Sequence, residues 1–305
     1  MIEYSSRKRN TVDQLSGNSP IMTRGKILSD LRQETKEPTE PTNSGPDNRV
    51  PSTPVEVYQE GAGTPLLCIH PSGGMGSPYR HLRDYLDCPI IAIRQVDDEI
   101  RPESIRHMAS GYADLLQNIH PQGPYSVLGW SFGGIVAHEV AIALGERGHS
   151  VHHLVVLDAY IDPEREQPQI EDDLAEHDVL SDYLRSRGID VLTLREPLTY
   201  RKTKELAEQR GLTGLIPSEK FFTMIAENSR FNNRLLANHT PGIFEGDIDV
   251  IVAEQSRSDA RDAGGWQQHA TGSVRKYSID CGHFAMLQPQ SLRLYGDHLN
   301  TLLST

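Results

Sequence analysis

Tyr125-Ser126-Val127-Leu128-Gly129-Trp130-Ser131-Phe132-Gly133-Gly134-Ile135-Val136-Ala137-His138-Glu139-Val140-Ala141-Ile142-Ala143-Leu144 is the stretch on which the reading of this chain turns. Its first four residues form a short apolar run of the kind that makes a buried strand, and from Ile135 the apolar spacing suits a helix ending near Gly145 or Gly148. Between them Ser131 has glycine two residues to each side. A serine on a sharp strand-to-helix turn is a nucleophile elbow: the turn is strained, helix and strand pack closely, and side chains at 129 and 133 would collide. G-x-S-x-G by itself is a weak pattern that also occurs in surface turns. Here both flanks that the motif demands are present. The arrangement exposes a hydroxyl beside the first amides of a helix, where developing negative charge is favoured.

Outward from the elbow, Pro65-Leu66-Leu67-Cys68-Ile69, Pro89-Ile90-Ile91-Ala92-Ile93 and His153-Leu154-Val155-Val156-Leu157 read as buried strands. Ile105, Met108, Ala109, Tyr112, Leu115, Leu116 and Ile119 give the segment from Ser104 to Ile119 a helical period. Wholly apolar strands alternating with helices predict an α/β fold, a mostly parallel sheet covered on both faces. From about 160 to 246 the pattern breaks into helical segments (His177 to Arg187, Tyr200 to Arg210, Ser218 to Asn238) with acidic stretches and no buried strand. An insertion of this kind at the carboxyl edge of a sheet reads as a lid. The sheet pattern resumes at Ile248 to Ala253 and Val274 to Ile279, and Ser291 to Leu303 closes the chain as a helix. Residues 1–54 are rich in Ser, Thr, Pro, Asn and charge, too polar to bury a core, with at most a short helix around Gly25 to Glu34. They read as a linker or tail ahead of a domain over 55–305.

The chain has 305 residues, with 30 Lys and Arg against 42 Asp and Glu, a net charge of −12. That balance argues against nucleic acid and anionic membrane surfaces as partners. No apolar run approaches the length of a membrane span, and no apolar stretch follows Arg7-Lys8-Arg9 as a secretory signal requires. Cys68, Cys88 and Cys281 cannot all pair and read as reduced thiols, which places the chain in the cytoplasm. His149, His152 and His153 have no defensible metal spacing, so no metal is expected.

An elbow serine needs a base and an orienting acid, which follow in the chain order Ser, acid, His in hydrolases of this fold. His283, beside Gly282 in the loop after the last strand, is the candidate base. Asp158, at the end of the strand after the elbow helix, is the favoured acid, with Glu254, Asp259 and Asp262 as competitors after the next strand. The oxyanion hole is expected from the amides of Ser72 and Phe132, since Pro71 has no N–H to give. His70, before a proline at a strand end, reads as packing.

Taken together, His70-Pro71-Ser72-Gly73-Gly74, Gly129-Trp130-Ser131-Phe132-Gly133-Gly134, Leu157-Asp158 and Gly282-His283-Phe284-Ala285-Met286-Leu287 resemble the thioesterase domains that close nonribosomal peptide and polyketide assembly lines. The likeness runs from about Pro65 to Leu303 and is weakest across the lid. It implies an α/β-hydrolase fold, Ser131 as nucleophile, His283 as base and Asp158 as acid. It also implies release of an acyl or peptidyl chain from the 4′-phosphopantetheine arm of a carrier protein, by hydrolysis or macrocyclisation, with no cofactor of the domain's own. Trp130-Ser131-Phe132 is more like the chain-releasing kind than the free-standing editing kind, which usually carries His-Ser-Met. A releasing domain normally follows a carrier domain, and residues 1–54 are too short and polar to be one; a piece of a longer synthetase or a protein acting in trans would both fit. The competing readings are a carboxylesterase or lipase-like serine hydrolase, indifferent to the pantetheine arm, and a binding module that kept the fold without catalysis. Arg201, Lys202 and Lys204 form a compact basic cluster, read as a solvated helix face ahead of a carrier contact.

Overall fold

The computed structural model describes residues 53–96, 101–161, 172–185, 187–189, 191, 196–212, 216–256 and 263–304. The polar segment before residue 53, its possible helix, and Asp259 and Asp262 lie outside the described residues.

Among the described residues seven strands form one sheet: β1 (Val55–Gln59), β2 (Leu66–Ile69), β3 (Ile90–Ile93), β4 (Tyr125–Trp130), β5 (Val151–Leu157), β6 (Ile248–Ala253) and β7 (Val274–Ile279). Their order is β1-β3-β2-β4-β5-β6-β7. Only β1 is antiparallel to its neighbour. The apolar runs foreseen as strands are all present, and β2, β4 and β6 are buried or nearly so along their length. β1 was not foreseen. Its Val55-Glu56-Val57-Tyr58-Gln59 alternates instead of running apolar, as suits an edge strand half open to water.

Helices α1 (Ile105–Ile119) and α2 (Phe132–Glu146) cover one face of the sheet, where Met108, Leu116, Val136 and Val140 meet Val127 and Val156. The other face is covered by a 3₁₀ segment, Ser77–Asp84, and by the last helix, Pro289–Leu303, through Tyr79, Leu82, Leu292 and Tyr295. Between β5 and β6 stand α3 (Asp172–Arg185), α4 (Tyr200–Gln209) and α5 (Glu219–Ala237), so the insertion is helical as its sequence predicts; the last helix is α6. Thr199 caps α4 and Ser218 caps α5, each hydroxyl accepting from the amide three residues on. The insertion has an apolar cluster of its own, Leu180, Leu184, Ala207 and Phe222 among others. α5 also reaches the main core through Phe231, Leu235 and Leu236. No described helix is long and apolar enough to cross a membrane.

Candidate active site

Ser131 follows directly on β4 and precedes the first residue of α2, at φ 57° and ψ −127°. A non-glycine residue there is strained, and the turn is held by its neighbours. The Ser131 amide donates to Leu157 O at 2.9 Å. A Cβ on Gly129 would lie 2.0 Å from Gly133 O, and one on Gly133 would lie 2.4 Å from Ile69 O. Both clashes are with backbone, so only glycine fits at either position. A further brace comes from the ring that packs beneath. Tyr79 Oη donates to Ile69 O at 2.6 Å and accepts from the Trp130 amide at 2.9 Å, tying the end of β2 to the elbow.

The neighbouring strand ends level with β4, since Trp130 lies in register with Leu157. Asp158 therefore emerges at the same edge, also at positive φ, 44°. Its amide donates to Ile251 O at 2.8 Å. His283 comes in from the loop after β7, at the start of a short 3₁₀ turn, His283–Ala285. The three side chains meet: His283 Nε2 is 3.1 Å from Ser131 Oγ and His283 Nδ1 is 2.7 Å from Asp158 Oδ2. Glu254, the described competitor for the acid, is exposed after β6, and the imidazole's carboxylate partner is Asp158.

Asp158 has no exposed side-chain surface, and its free oxygen is satisfied. Oδ1 accepts from Tyr160 Oη at 2.5 Å and from the Ala253 amide at 2.9 Å. Burial works to raise the carboxyl's pKa, but the hydrogen bonds from His283, Tyr160 and Ala253 outweigh it and hold the group below the usual carboxylate range. The carboxylate can only accept, so His283 Nδ1 donates to it and Nε2 is the ring nitrogen that faces Ser131 Oγ.

Phe132 is the first residue of α2, so its amide has no partner within the helix. The Ser72 loop lies alongside. Gly74 N donates to Pro71 O at 2.9 Å, closing a four-residue turn with Ser72 second in it. α5 holds this loop from the other side. Asn232, fully buried, donates through Nδ2 to Ser72 O and to Gln95 Oε1, each at 2.7 Å. Asn228 sits one helical turn earlier, so close that a Cβ on Gly74 would lie 2.7 Å from its Nδ2. Tyr160 and Asn232 were missed in the sequence. Asn228 and Asn232 share a face with Ile225 on a helix otherwise apolar toward the core, which is a faint signal; Tyr160 had none.

His70 is not simple packing. It is fully buried, its Nδ1 lies 2.8 Å from Pro71 O and its Nε2 2.6 Å from Tyr112 Oη, and its ring stacks on Phe132. Burial pulls its pKa down to about 4 although the bond to Pro71 opposes this, so the ring is neutral.

Beside Ser72 and Trp130 opens a cavity of about 300 Å³ running under the insertion, where Tyr183, Phe222, Ile225 and Phe284 line it with the Asp182 carboxyl. Burial pushes Asp182 up to about 7, Arg185 opposing and Asp178 adding. Arg201, Lys202 and Lys204 pair with Glu205 and Glu208 of their own helix at 3.5 to 4.0 Å, as a solvated face does. Among the described residues no three His, Cys, Asp or Glu side chains converge as metal ligands would.

Residues 64–299 match the family described as thioesterase domain. The chain belongs to the thioesterase domain family. It is 29% identical over 246 residues to a dimodular nonribosomal peptide synthase of Bacillus subtilis, covering 76% of this chain and 10% of that one. It is also 29% identical over 250 residues to the vanchrobactin synthetase VabF of Vibrio anguillarum, covering 80% and 8%. The chain thus spans about a tenth of the length of these relatives. Among solved structures, the surfactin-cyclising thioesterase domain SrfTE superposes with a TM-score of 0.59 at 21% identity, over 82% of this chain and 96% of that one. At that identity the likeness speaks for the fold, the α/β-hydrolase fold expected from the sequence.

Proposed function

We propose that this thioesterase releases an acyl or peptidyl chain from the 4′-phosphopantetheine thioester of a carrier protein, through an ester on Ser131. The observation that carries the reading is the unbroken line Ser131 Oγ–His283–Asp158, with separations of 3.1 and 2.7 Å, whose chain neighbours Trp130 and Phe284 line a cavity together with Ser72. His283 Nε2 takes the hydroxyl proton as Ser131 Oγ attacks the thioester carbonyl, and Asp158 stabilises the imidazolium that forms. The amides of Phe132 and Ser72 hold the tetrahedral oxyanion. When it collapses the C–S bond breaks, and the pantetheine sulfur leaves with the proton from His283. A thiol of pKa about 8.5 needs little help to depart. His283 then draws a proton from water, giving a free acid, or from an amine or hydroxyl of the bound chain, giving a ring, and returns it to Ser131. The helical insertion acts as the lid that shields the ester from bulk water. The domain needs no cofactor of its own, since the pantetheine arm arrives with the carrier. That the relatives are multidomain peptide synthetases supports a carrier domain as the partner and the inside of the cell as the place.

The test compares acyl-pantetheine thioesters with p-nitrophenyl esters of equal chain length, with mass spectrometry following the adduct on Ser131. A clear preference for the thioester and an acyl mass on the Ser131 peptide are expected. Ser131→Ala should lose on the order of 10⁶ in kcat. Equal turnover of both substrate classes would indicate a general esterase, and more than a tenth of the activity left in Ser131→Ala would remove the serine from its role.

A further inference from the structure

The Pro71–Ser72 peptide is trans, so its C=O and N–H point in opposite directions. Whatever fixes the carbonyl also aims the amide. Two donors fix this one: the Gly74 amide at 2.9 Å and His70 Nδ1 at 2.8 Å. His70 is fully buried, so the carbonyl is held toward the interior and the Ser72 N–H is turned toward the cavity that Ser72 lines. A neutral imidazole carries one proton, which can sit on either nitrogen. Here Nε2 lies 2.6 Å from Tyr112 Oη. A tyrosine hydroxyl donating to Nε2 leaves the proton on Nδ1, where it reaches Pro71 O. The ring also stacks on Phe132, whose amide is the other oxyanion donor, with centroids 6.2 Å apart.

We infer that His70 and Tyr112 are positioning residues of the oxyanion hole: Tyr112 sets the tautomer of His70, and His70 turns the Ser72 amide toward the substrate carbonyl. The inference rests on the proposed role of Ser72 as oxyanion donor. It gives this histidine a part in the reaction without contact with substrate, distinct from that of His283.

The experiment measures kcat and KM on hexanoyl-pantetheine, the rate of fluorophosphonate labelling and the thermal midpoint for four variants. Tyr112→Phe keeps the ring and loses only the hydroxyl, and should lower kcat about tenfold with KM within about twofold. His70→Ala should approach the loss seen when an oxyanion donor is removed, about 10²-fold, and slow labelling in parallel, because the phosphonate oxygen occupies the same hole. His70→Asn, whose amide N–H falls near the place of Nδ1–H, should recover most of the loss. Wild-type kcat in Tyr112→Phe and His70→Ala overturns the inference. So does a loss that follows the thermal midpoint with no recovery in His70→Asn, which would mark the pair as structural only; if His70→Ala does not fold, Tyr112→Phe carries the test. Ser72→Pro separates the inference from the reading beneath it, since proline suits the second position of such a turn but has no N–H. An active Ser72→Pro refutes Ser72 as donor, whereas an inactive one beside active Tyr112 and His70 variants refutes the positioning role alone.

Discussion

Replacing Tyr160 by Phe removes one hydroxyl and leaves the rest of the ring, and the effect follows from where that hydroxyl points. Asp158 has no exposed side-chain surface and accepts three hydrogen bonds, from His283, Tyr160 and the Ala253 amide. A hydrogen bond to a charged group contributes about 1.5–3 kcal/mol, and the lost one leaves a buried carboxylate with an unfilled lone pair. The variant should therefore be less stable by about 1.5–3 kcal/mol at neutral pH, or about 3–10 °C in thermal midpoint for a domain of this size. The sign with pH follows from the direction of the shift. A carboxyl held below its ordinary value contributes stability above the unfolded value of about 3.9 and loses it as pH falls through the folded value. The deficit of the variant should thus be full at pH 7 and shrink below pH 4. Denaturant unfolding at pH 7 and below pH 4 tests this. Equal stability of the variant and its parent at pH 7 would refute the account of how Asp158 is kept ionised.

Gly133→Ala should cost about 1–3 kcal/mol or more, because the new methyl meets backbone oxygens at 2.4 and 2.6 Å that cannot withdraw; urea denaturation would measure it, and no change would contradict the close packing of elbow and β2. Asn232→Ala strands the Ser72 carbonyl and the Gln95 amide oxygen, and should cost about 1–3 kcal/mol while lowering kcat more than it raises KM; an unchanged thermal midpoint and kcat would sever α5 from the oxyanion loop. Asp182→Asn tests the cavity. A carboxyl raised to about 7 makes the folded state hold its proton longer than the unfolded one, so stability declines as pH rises from about 4 to 7. The amide variant should gain stability over the parent at pH 8 and not at pH 4, by a margin reduced by the side chain's one-third exposure. Parallel stability curves for the two proteins would show the carboxyl to be solvated.

The elbow was legible because its evidence is local. Gly129, Ser131 and Gly133 stand within five residues, and their flanks declare strand and helix by apolar content alone. The buried strands followed for the same reason, and with them the edge at which Asp158 and His283 had to emerge. β1 was hidden by its alternation, which an edge strand shares with many loops. What sequence could not carry is contact between distant positions. His283 meets Ser131 across 152 residues and Asp158 across 125, and chain order narrowed that meeting without setting its distances. The clamp of Asn232 on Ser72 spans 160 residues, and that of Tyr112 on His70 spans 42. A hydrogen bond depends on tenths of an ångström and on direction, which only the packed core supplies. Thus the sequence alone determined the fold and the three side chains that meet at the elbow, through short-range periodicity and the sterics of one turn. The tertiary structure decided which groups hold those side chains and the oxyanion loop in place, because such support comes from whatever the folded sheet brings alongside.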